Sequence, residues 1–404
     1  MSTAHFYFIN NSHISTNDMS GGEKIAMALA RHWSKRNMVF VFTSNLGKTI
    51  WEKYQILNIK YLVSAFLKNN EKIFFSYCKR VLIILPKIYQ LKLNRNTNFV
   101  YSVSDFWPDS IPALFLKIKN PKVIWVAGFY LFAPKPWQSD SPYKSSIKRF
   151  FIGLAYWFSQ LPIYFLIKNM ADYVFVTSEP DMEKFITSKR NRDKIVVVQG
   201  GVDITTSEKY LKSKKVIPIS QRKYDACFLG RFHYQKGVLE LIDIWKLVCQ
   251  KKPEAKLAMI GNGPLEKNVL IKIREYKLEK NIDLLGFLDG EKKYEIFKQS
   301  KMIIHPATYD SGGMAAAEGM AWELPGVSFD LESLKTYYPS GMIKTKCYNL
   351  REFADNIISL LDNEKLYQKI SKEAHTLIVG VWDWEKRTDF ISRKIFNDET
   401  QNKK

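Results

Sequence analysis

The chain has 404 residues, 46% hydrophobic and 25% charged, so it can bury folded cores and is not a disordered polymer. Lysine and arginine total 61 against 40 aspartates and glutamates, and the net charge of +21 favours an anionic partner such as nucleic acid, a membrane or phosphorylated ligands. The four cysteines form no CxxC pair, which argues against a disulfide scaffold or a zinc site. The opening residues lack the layout of a secretory signal, so we expect a protein that stays inside the cell.

Short apolar runs alternate with helical patterns along the first half of the chain, which is typical of an α/β domain with a parallel sheet. The spacing predicts a helix from Gly21 and Gly22 to about Arg36, and another that begins near Pro108 or Pro112. The predicted strands are residues 5–9, 38–43, 99–103, 122–127, 173–177 and 194–198.

The same alternation restarts in the second half after a polar, lysine-rich stretch. Strands are predicted at 224–229, 256–260, 282–285 and 302–304, and helices at 237–250, 265–276, 291–299 and after Gly313. We therefore predict two Rossmann-like, doubly wound domains that face each other across a cleft. The predicted boundaries are an N-terminal domain at 1–205, a linker at 206–223, a C-terminal domain at 224–380 and a terminal helix at 381–400 that crosses back to the first domain.

One turn of the second half carries two cations. Gly230 and Gly237 flank a strand-to-helix turn that contains Arg231 and Lys236, at the sheet edge where α/β proteins bind ligands. Arg231 offers a planar fork for phosphate oxygens and Lys236 a mobile point charge. Together they would neutralise a leaving diphosphate without a metal ion.

A second turn combines glycines with two acids. Gly312 and Gly313 precede a helix, where their N–H groups would approach a phosphate at the positive end of the helix dipole. Asp310 would reach a sugar hydroxyl, and Glu318 would accept hydrogen bonds from the two ribose hydroxyls. Three further turn glycines would present backbone groups to a nucleobase: Gly261, Gly263 and Gly286. Each signal is weak alone, but their joint order and spacing are specific.

These pieces together resemble the nucleotide-sugar domain of family 4 glycosyltransferases, which are retaining enzymes of the GT-B fold. The matching segments are FLGRFHYQKG (228–237), MIGNGP (259–264), LLGFLDG (284–290) and YDSGGMAAAEGMA (309–321). Shorter likenesses extend over nearly the whole chain, at Gly21-Gly22, Thr177-Ser178-Glu179, Gly201-Val202-Asp203 and Trp384-Glu385.

The resemblance implies a retaining, metal-independent hexosyltransferase. Its donor would be a UDP- or GDP-linked sugar, with no further cofactor, and its acceptor a lipid-linked saccharide in surface-glycan or glycoprotein-oligosaccharide assembly. Catalytic roles would fall to Asp310, Arg231 and Lys236. The substrate would contact Glu318 and eight glycines: Gly21, Gly22, Gly230, Gly261, Gly263, Gly286, Gly312 and Gly313.

The chain departs from the family pattern at three positions. Asp310 stands where the pattern has glutamate, and Gly200 where it has asparagine. After the predicted strand 122–127, many relatives have a histidine near the donor sugar, but this chain has Gly128-Phe129-Tyr130. His305 follows a strand and could substitute, although a lone histidine is more often structural.

Two segments of the first half are both basic and apolar. Residues 60–95 contain eight basic residues and one acid, with an apolar stripe formed by Phe74, Tyr77, Val81, Ile84, Ile88 and Leu91. This stripe would either contact an anionic bilayer or pack on the sheet, and Pro86 would bend or divide its helix. Residues 150–167 are long enough to span a membrane, but a strand follows at once, so a membrane-dipping or deeply packed helix pair is predicted instead.

We therefore expect a cytoplasmic protein that is peripheral to the inner face of the membrane. Nucleic acid is not an expected partner, because no part of the chain resembles a nucleic-acid-binding motif. Two alternatives remain: a non-enzymatic, membrane-associated relative that keeps only the nucleotide pocket, and a soluble transferase that acts on a small sugar or sugar phosphate.

Overall fold

The computed structural model describes residues 4–12, 20–63, 73–93, 98–138, 141–144, 146–198 and 200–401. The chain divides into two compact units. The first unit comprises Met1–Gly200 and Glu385–Lys404, and the second comprises Gly201–Trp384. Each unit contains one parallel β-sheet with helices between its strands, as the alternating sequence pattern predicts.

The first sheet has seven strands. They are β1 (His5–Asn10), β2 (Met38–Thr43), β3 (Ile59–Val63), β4 (Asn98–Ser102), β5 (Ile124–Gly128), β6 (Tyr173–Val176) and β7 (Ile195–Val197). Their order in the sheet is β3-β2-β1-β4-β5-β6-β7, so the winding reverses between β1 and β4. In doubly wound sheets, ligands bind outside the carboxyl ends of the strands at such a reversal.

The second sheet has six strands and the same kind of reversal. They are β8 (Ala226–Leu229), β9 (Leu257–Ile260), β10 (Ile282–Leu284), β11 (Ile303–His305), β12 (Gly326–Phe329) and β13 (Met342–Thr345). The order is β10-β9-β8-β11-β12-β13, so β8 and β11 meet at the reversal. The loops after these two strands contain the predicted cations Arg231 and Lys236 and the predicted acid Asp310. The two sheets confirm the predicted fold class.

Fifteen helices lie within the described residues. In chain order they are α1 (Gly21–Trp33), α2 (Asn45–Lys53), α3 (Ile73–Gln90), α4 (Trp107–Lys119), α5 (Ile147–Met170), α6 (Glu179–Glu183), α7 (Thr205–Leu211), α8 (Val238–Lys251), α9 (Glu266–Glu275), α10 (Glu291–Lys298), α11 (Met314–Met320), α12 (Glu332–Lys335), α13 (Leu350–Asp362), α14 (Glu364–Leu377) and α15 (Trp384–Gln401). A short π-helical stretch, Ile378–Trp382, precedes α15.

The prediction of a helix pair at 150–167 is wrong, because α5 is one continuous helix. Pro162 lies inside it and cannot donate a backbone hydrogen bond. The indole Nε1 of Trp107 donates to the carbonyl of Ser159 at 2.8 Å, so a side chain from a neighbouring helix hydrogen-bonds the backbone of α5 near the proline. Pro86 likewise lies inside α3 without dividing it.

Most strand residues are buried, and because successive side chains point to opposite faces of a sheet, they supply a core on each face of both sheets. In the first unit, one core joins the sheet to α3, α4 and α5. On the opposite face, Phe6 stacks on Trp33 of α1 with ring centroids 4.7 Å apart and meets Phe396 of α15 edge-on. In the second unit, one core joins the sheet to α8, α9 and α13, and the other contains residues of α11 and α14.

The segment predicted as a linker, 206–223, is packed against the second unit. Most of α7 lies in it, and the ring of Tyr210 contacts that of Trp322 at a centroid distance of 5.6 Å. Nη1 of Arg222 donates to the carbonyl of Ser300 at 3.0 Å. The lysine-rich composition of this segment indicated a linker, because composition alone does not show that Tyr210 and Arg222 anchor the segment.

Candidate nucleotide-sugar site

The loops after β8 and β11 are joined into one structure. The amides of Thr308 and Tyr309 both donate to the carbonyl of Gln235, at 3.0 and 3.2 Å. Gly237 has a φ of +62°, and a Cβ atom there would lie 1.9 Å from the carbonyl oxygen of Pro306. Only glycine allows this approach, which brings the turn with Lys236 against the loop with Asp310.

Asp310 is the centre of the charged cluster between these loops. Its side chain is 8% exposed, and Oδ2 accepts a hydrogen bond from Nζ of Lys236 at 2.5 Å and lies 3.1 Å from Nε2 of His305. Burial alone would raise the pKa of Asp310, but the charge of Lys236 and the hydrogen bonds from His305 and Lys236 outweigh it and hold that pKa well below its usual range. The carboxylate is therefore ionised at neutral pH. It holds Lys236, whose three N–H donors can also serve other acceptors.

The other oxygen of Asp310 organises the glycine turn. Oδ1 accepts hydrogen bonds from the amides of Ser311 at 2.7 Å, Gly312 at 3.3 Å and Gly313 at 3.2 Å. The sequence predicts that the two glycine amides point at a phosphate. In the structure they point at the Asp310 carboxylate, because this acid is close enough in sequence to fold back onto them. The buried hydroxyl of Tyr338 donates to the carbonyl of Gly313 at 2.6 Å and holds the turn from the other side.

Glu318 belongs to a second charged pair, on α11. Its Oε2 accepts from Nζ of Lys293 at 2.7 Å, and Lys293 also donates to Oδ1 of Asp289 at 2.9 Å. Burial would lower the pKa of Lys293, but the charges of Glu318 and Asp289 raise it above its ordinary value. Lys293 was not predicted from the sequence. The one signal for it is the four-residue spacing from Asp289, which is common on exposed helices.

The remaining predicted glycines of the second unit lie along the same edge. The amide of Gly261 donates to the carbonyl of Gly286 at 2.8 Å. Gly261 has a φ of +139°, and a Cβ atom there would lie 1.9 Å from the carbonyl oxygen of Gly230. A Cβ atom on Gly263 would lie 2.6 Å from the carbonyl oxygen of Phe232. The structure thus brings these four glycines together, beside the exposed side chain of Arg231.

In the first unit, Gly21 and Gly22 are the first residues of α1. Ser20 and Glu23 close a capping box before the helix: the Ser20 hydroxyl accepts from the Glu23 amide at 3.2 Å, and the Ser20 amide donates to Glu23 Oε2 at 2.7 Å. A Cβ atom on Gly22 would lie 3.0 Å from the ring of Tyr130. The preceding loop, 13–19, lies outside the described residues.

Tyr130 fills the region where many relatives have a histidine. Its hydroxyl is hydrogen-bonded to that of Tyr101, and burial raises the pKa of Tyr130 above its ordinary value. An aromatic phenol therefore stands at this position, packed against Gly22 and buried.

Two buried acids at the reversal of the first sheet were also missed. Asp109 accepts hydrogen bonds from the amide of Asn11 at 2.6 Å and from the hydroxyls of Ser12 at 2.8 Å and Ser104 at 2.6 Å. Burial raises the pKa of Asp109 to about 7, and that of Asp105 to about 6. The only sequence signal is their place shortly after β4, and it becomes informative once β1 and β4 are known to be neighbours.

With this geometry in place, the relatives of the chain become informative. Residues 210–377 match the family model "Glycosyl transferases group 1". The matched residues make up most of the second unit. The resemblance to glycosyltransferases of GT-B fold is therefore confirmed. The matched region includes the Lys236–Asp310 and Lys293–Glu318 pairs.

Curated relatives of the chain include two proteins named as glycosyltransferases. The poly(glycerol-phosphate) alpha-glucosyltransferase of Bacillus subtilis is 27% identical over 163 residues, 39% of this chain and 24% of the relative. The poly(ribitol-phosphate) alpha-N-acetylglucosaminyltransferase of Staphylococcus aureus is 22% identical over 200 residues, 48% of this chain and 38% of the relative. The chain thus matches well under half the length of either relative.

Two solved structures resemble nearly the whole chain in fold. HepE of Anabaena, solved with UDP, superposes with a TM-score of 0.68 at 15% identity over 98% of this chain and 100% of its own. Sucrose-phosphate synthase of Thermosynechococcus elongatus superposes with a TM-score of 0.71 at 14% identity over the same shares. At such identities these similarities establish the fold alone.

Proposed function

We propose that the protein is a retaining glycosyltransferase that moves a hexose from a nucleotide-diphosphate sugar to a saccharide acceptor. The observation that carries the proposal is the Lys236–Asp310 pair at the reversal of the second sheet, inside the region that matches the group 1 family, with exposed Arg231 in the same turn as Lys236. Cations and turn amides at this edge suit the diphosphate of a nucleotide.

The proposed chemistry is stabilisation of the leaving group. As the bond between the sugar and the diphosphate breaks, the nucleotide takes the electron pair and its negative charge grows. Arg231 and Lys236 would neutralise that charge without a metal ion. The acceptor hydroxyl would bond the anomeric carbon on the face that the diphosphate left, and its proton would pass to an oxygen of the departing diphosphate.

The contacts of Asp310 suggest a positioning role in place of direct contact with the sugar. Both of its carboxylate oxygens already accept hydrogen bonds from the protein, and its side chain is largely buried. It would hold Lys236 and the glycine turn in place for the nucleotide. Glu318, fixed by Lys293, would accept the ribose hydroxyls.

The proposed acceptor is a lipid-linked saccharide, used at the cytoplasmic face of a membrane. The support is the net charge of +21 and the kinds of relatives, which include an amylovoran biosynthesis glycosyltransferase of Erwinia amylovora that is 24% identical over 57% of this chain. Surface-glycan assembly would supply such an acceptor.

A thermal-shift screen against UDP-, GDP-, ADP- and TDP-sugars, with a chelator present, tests the donor. A ligand that binds only the native state raises the melting temperature, so we expect a shift with a UDP- or GDP-sugar. The anomeric configuration of the product, read by NMR, then tests retention. The absence of any shift would favour a protein without a nucleotide pocket, and an inverted product would contradict the retaining mechanism.

A further inference from the structure

The outer face of α5 is apolar, although it lies on the protein surface. Within the described residues, α5 is the one helix long and apolar enough to cross a bilayer by length and composition, and only 22% of its most apolar window is buried. Phe151, Phe158 and Phe165 are 62%, 57% and 53% exposed. At 100° per residue they fall on one side of the helix, together with Ile152, Leu166 and Met170. We call this set the α5 stripe.

The opposite face of α5 is bonded to the first unit along its length. Nε2 of the buried Gln160 donates to Asp105 Oδ2 at 2.8 Å and to the carbonyl of Leu131 at 2.7 Å, and its Oε1 accepts from the amide of Ala133 at 2.7 Å. Near the C-terminal end, Ile163 and Ile167 belong to the core that contains the sheet. Crossing a bilayer would break all of these contacts.

The end of α5 is also fixed. Arg190 is buried, and its Nη2 donates to three carbonyls at the end of the helix: Ile167 at 2.9 Å, Lys168 at 2.8 Å and Ala171 at 2.7 Å. The strand β6 then begins at Tyr173. The helix is therefore held parallel to the protein surface over its 24 residues, about 36 Å.

The charges of α5 match an anionic surface. The helix contains no acid, and it contains three cations: Lys148 and Arg149 in its first turn and Lys168 in its last. Exposed Trp137 stacks edge-on against Trp157 of the helix, with ring centroids 5.3 Å apart. Aromatic rings and cations around an apolar face are typical of helices that lie in the interface of a bilayer.

The other apolar stripe of the first unit is accounted for by the core. In α3, the side chains of Val81, Ile84 and Ile88 are buried. These residues therefore pack in the core and do not contact a bilayer. The predicted stripe member Phe74 has a side chain outside the described residues. The α5 stripe therefore differs from it in having no cover from the described part of the chain.

We propose that the α5 stripe docks the protein flat on an anionic phospholipid bilayer, with the phenylalanines in the interface and Lys148, Arg149 and Lys168 among the headgroups. The proposal goes beyond the transfer reaction and does not depend on it. It concerns the surface on which the first unit rests, and its test needs neither donor nor acceptor.

Flotation with vesicles tests this surface on the full chain. The wild type should float with phosphatidylcholine vesicles that contain about 30% phosphatidylglycerol, float much less with phosphatidylcholine alone, and dissociate at about 1 M salt. The variant F151E/F158E/F165E should bind the anionic vesicles at least about tenfold more weakly, because three apolar anchors are replaced by charges that the headgroups repel. K148E/R149E should lose the preference for anionic vesicles.

Matched controls lie on α9 of the second unit. Ile271 is 63% exposed, so I271E introduces the same charge at a similarly exposed apolar position, and K267E/R274E reverses two exposed cations. Both controls should float like the wild type, with circular dichroism confirming the fold of each variant. Equal flotation of the wild type and the triple variant would overturn the proposal. So would a concentration-dependent dimer in sedimentation that the triple variant loses, since the stripe would then be covered by a second copy.

Discussion

At the scale of single residues, the charged groups of the candidate site are organised in pairs. Lys236 is held by Asp310, and Glu318 by Lys293. The sequence predicted three of these four residues, because their motifs have fixed spacing. It could not find the pairing itself, since the partners are 74 and 25 positions apart in the chain. It also placed the glycine amides on a phosphate, whereas they bind Asp310.

Removing Lys293 should destabilise the protein strongly. K293M leaves the carboxylate of Glu318 buried without its cation, and breaking such a pair costs about 3 kcal/mol or more in the free energy of unfolding. K293M/E318Q should recover part of the loss, because the uncompensated charge is gone. Urea denaturation measures both.

The matched control is the exposed pair of Lys335 and Glu332. K335M should leave the unfolding midpoint unchanged, because water solvates the remaining acid. If K293M also unfolds at the wild-type urea concentration, the Lys293–Glu318 pair contributes nothing to stability and Glu318 needs no fixing partner.

At the scale of elements, strands and helices with clear periodicity were predictable to within a few residues. The core strands β1, β2, β8 and β9 and the helices α8, α9 and α10 match their predictions closely. The strand β3 was missed because it lies at the sheet edge, half-buried and with exposed Lys60, so its pattern resembles the basic segment that follows. The strands β12 and β13, which follow α11, were not predicted.

The turn that joins the loops after β8 and β11 should tolerate no side chain at Gly237. G237A combines an unfavourable φ, which costs roughly 1 kcal/mol, with a collision against the Pro306 carbonyl, so it should destabilise well beyond that amount. Gly286 has a similar φ of +65° but no atom within 4 Å of its Cβ position.

G286A is therefore the control, with an expected loss of only about 1 kcal/mol. Thermal unfolding of the two variants compares them directly. Equal losses would mean that the loop after β11 moves aside at little cost, and that the close approach of the two loops is not required.

At the scale of the whole molecule, the two sheets share one winding pattern, and each has polar groups at its reversal. The alternation of strands and helices in the sequence predicted this architecture. The glycine turns predicted which edge of the second sheet carries the candidate site. The sequence did not predict the acids of the first reversal. Asp105 and Asp109 have no motif, and only the pairing of β1 with β4 brings Asp109 beside Ser12. The α5 stripe was likewise hidden, since composition cannot tell an outer face from an inner one.

The buried acids of the first sheet should make stability depend on pH. Burial raises the pKa of Asp109 from 3.8 to about 7, so the folded state keeps a proton that the unfolded state has lost between about pH 4 and 7. The free energy of unfolding should therefore fall as the pH rises through this window, by on the order of a few kcal/mol, and level off above it. Asp105 adds to this fall in the free energy of unfolding up to about pH 6.

D109N removes the titrating group while keeping its shape, so the slope between pH 5 and 7 should become shallower. D193N changes an exposed acid of the same unit and should keep the wild-type slope. Urea denaturation at several pH values measures the slopes. A D109N slope equal to that of the wild type would show that Asp109 is already ionised at pH 5.

The most direct test of the account is calorimetric titration of UDP and GDP, in the presence of a chelator, into the wild type, K236A and K251A. Lys251 is a suitable control because it forms a lysine–aspartate pair with Asp355 on the surface of the same unit. We expect the wild type and K251A to bind one of the two nucleotides equally, and K236A to bind it about 10- to 100-fold more weakly, as for the loss of a charge-assisted hydrogen bond. Equal affinity of K236A and the wild type would contradict the placement of the diphosphate at the reversal of the second sheet.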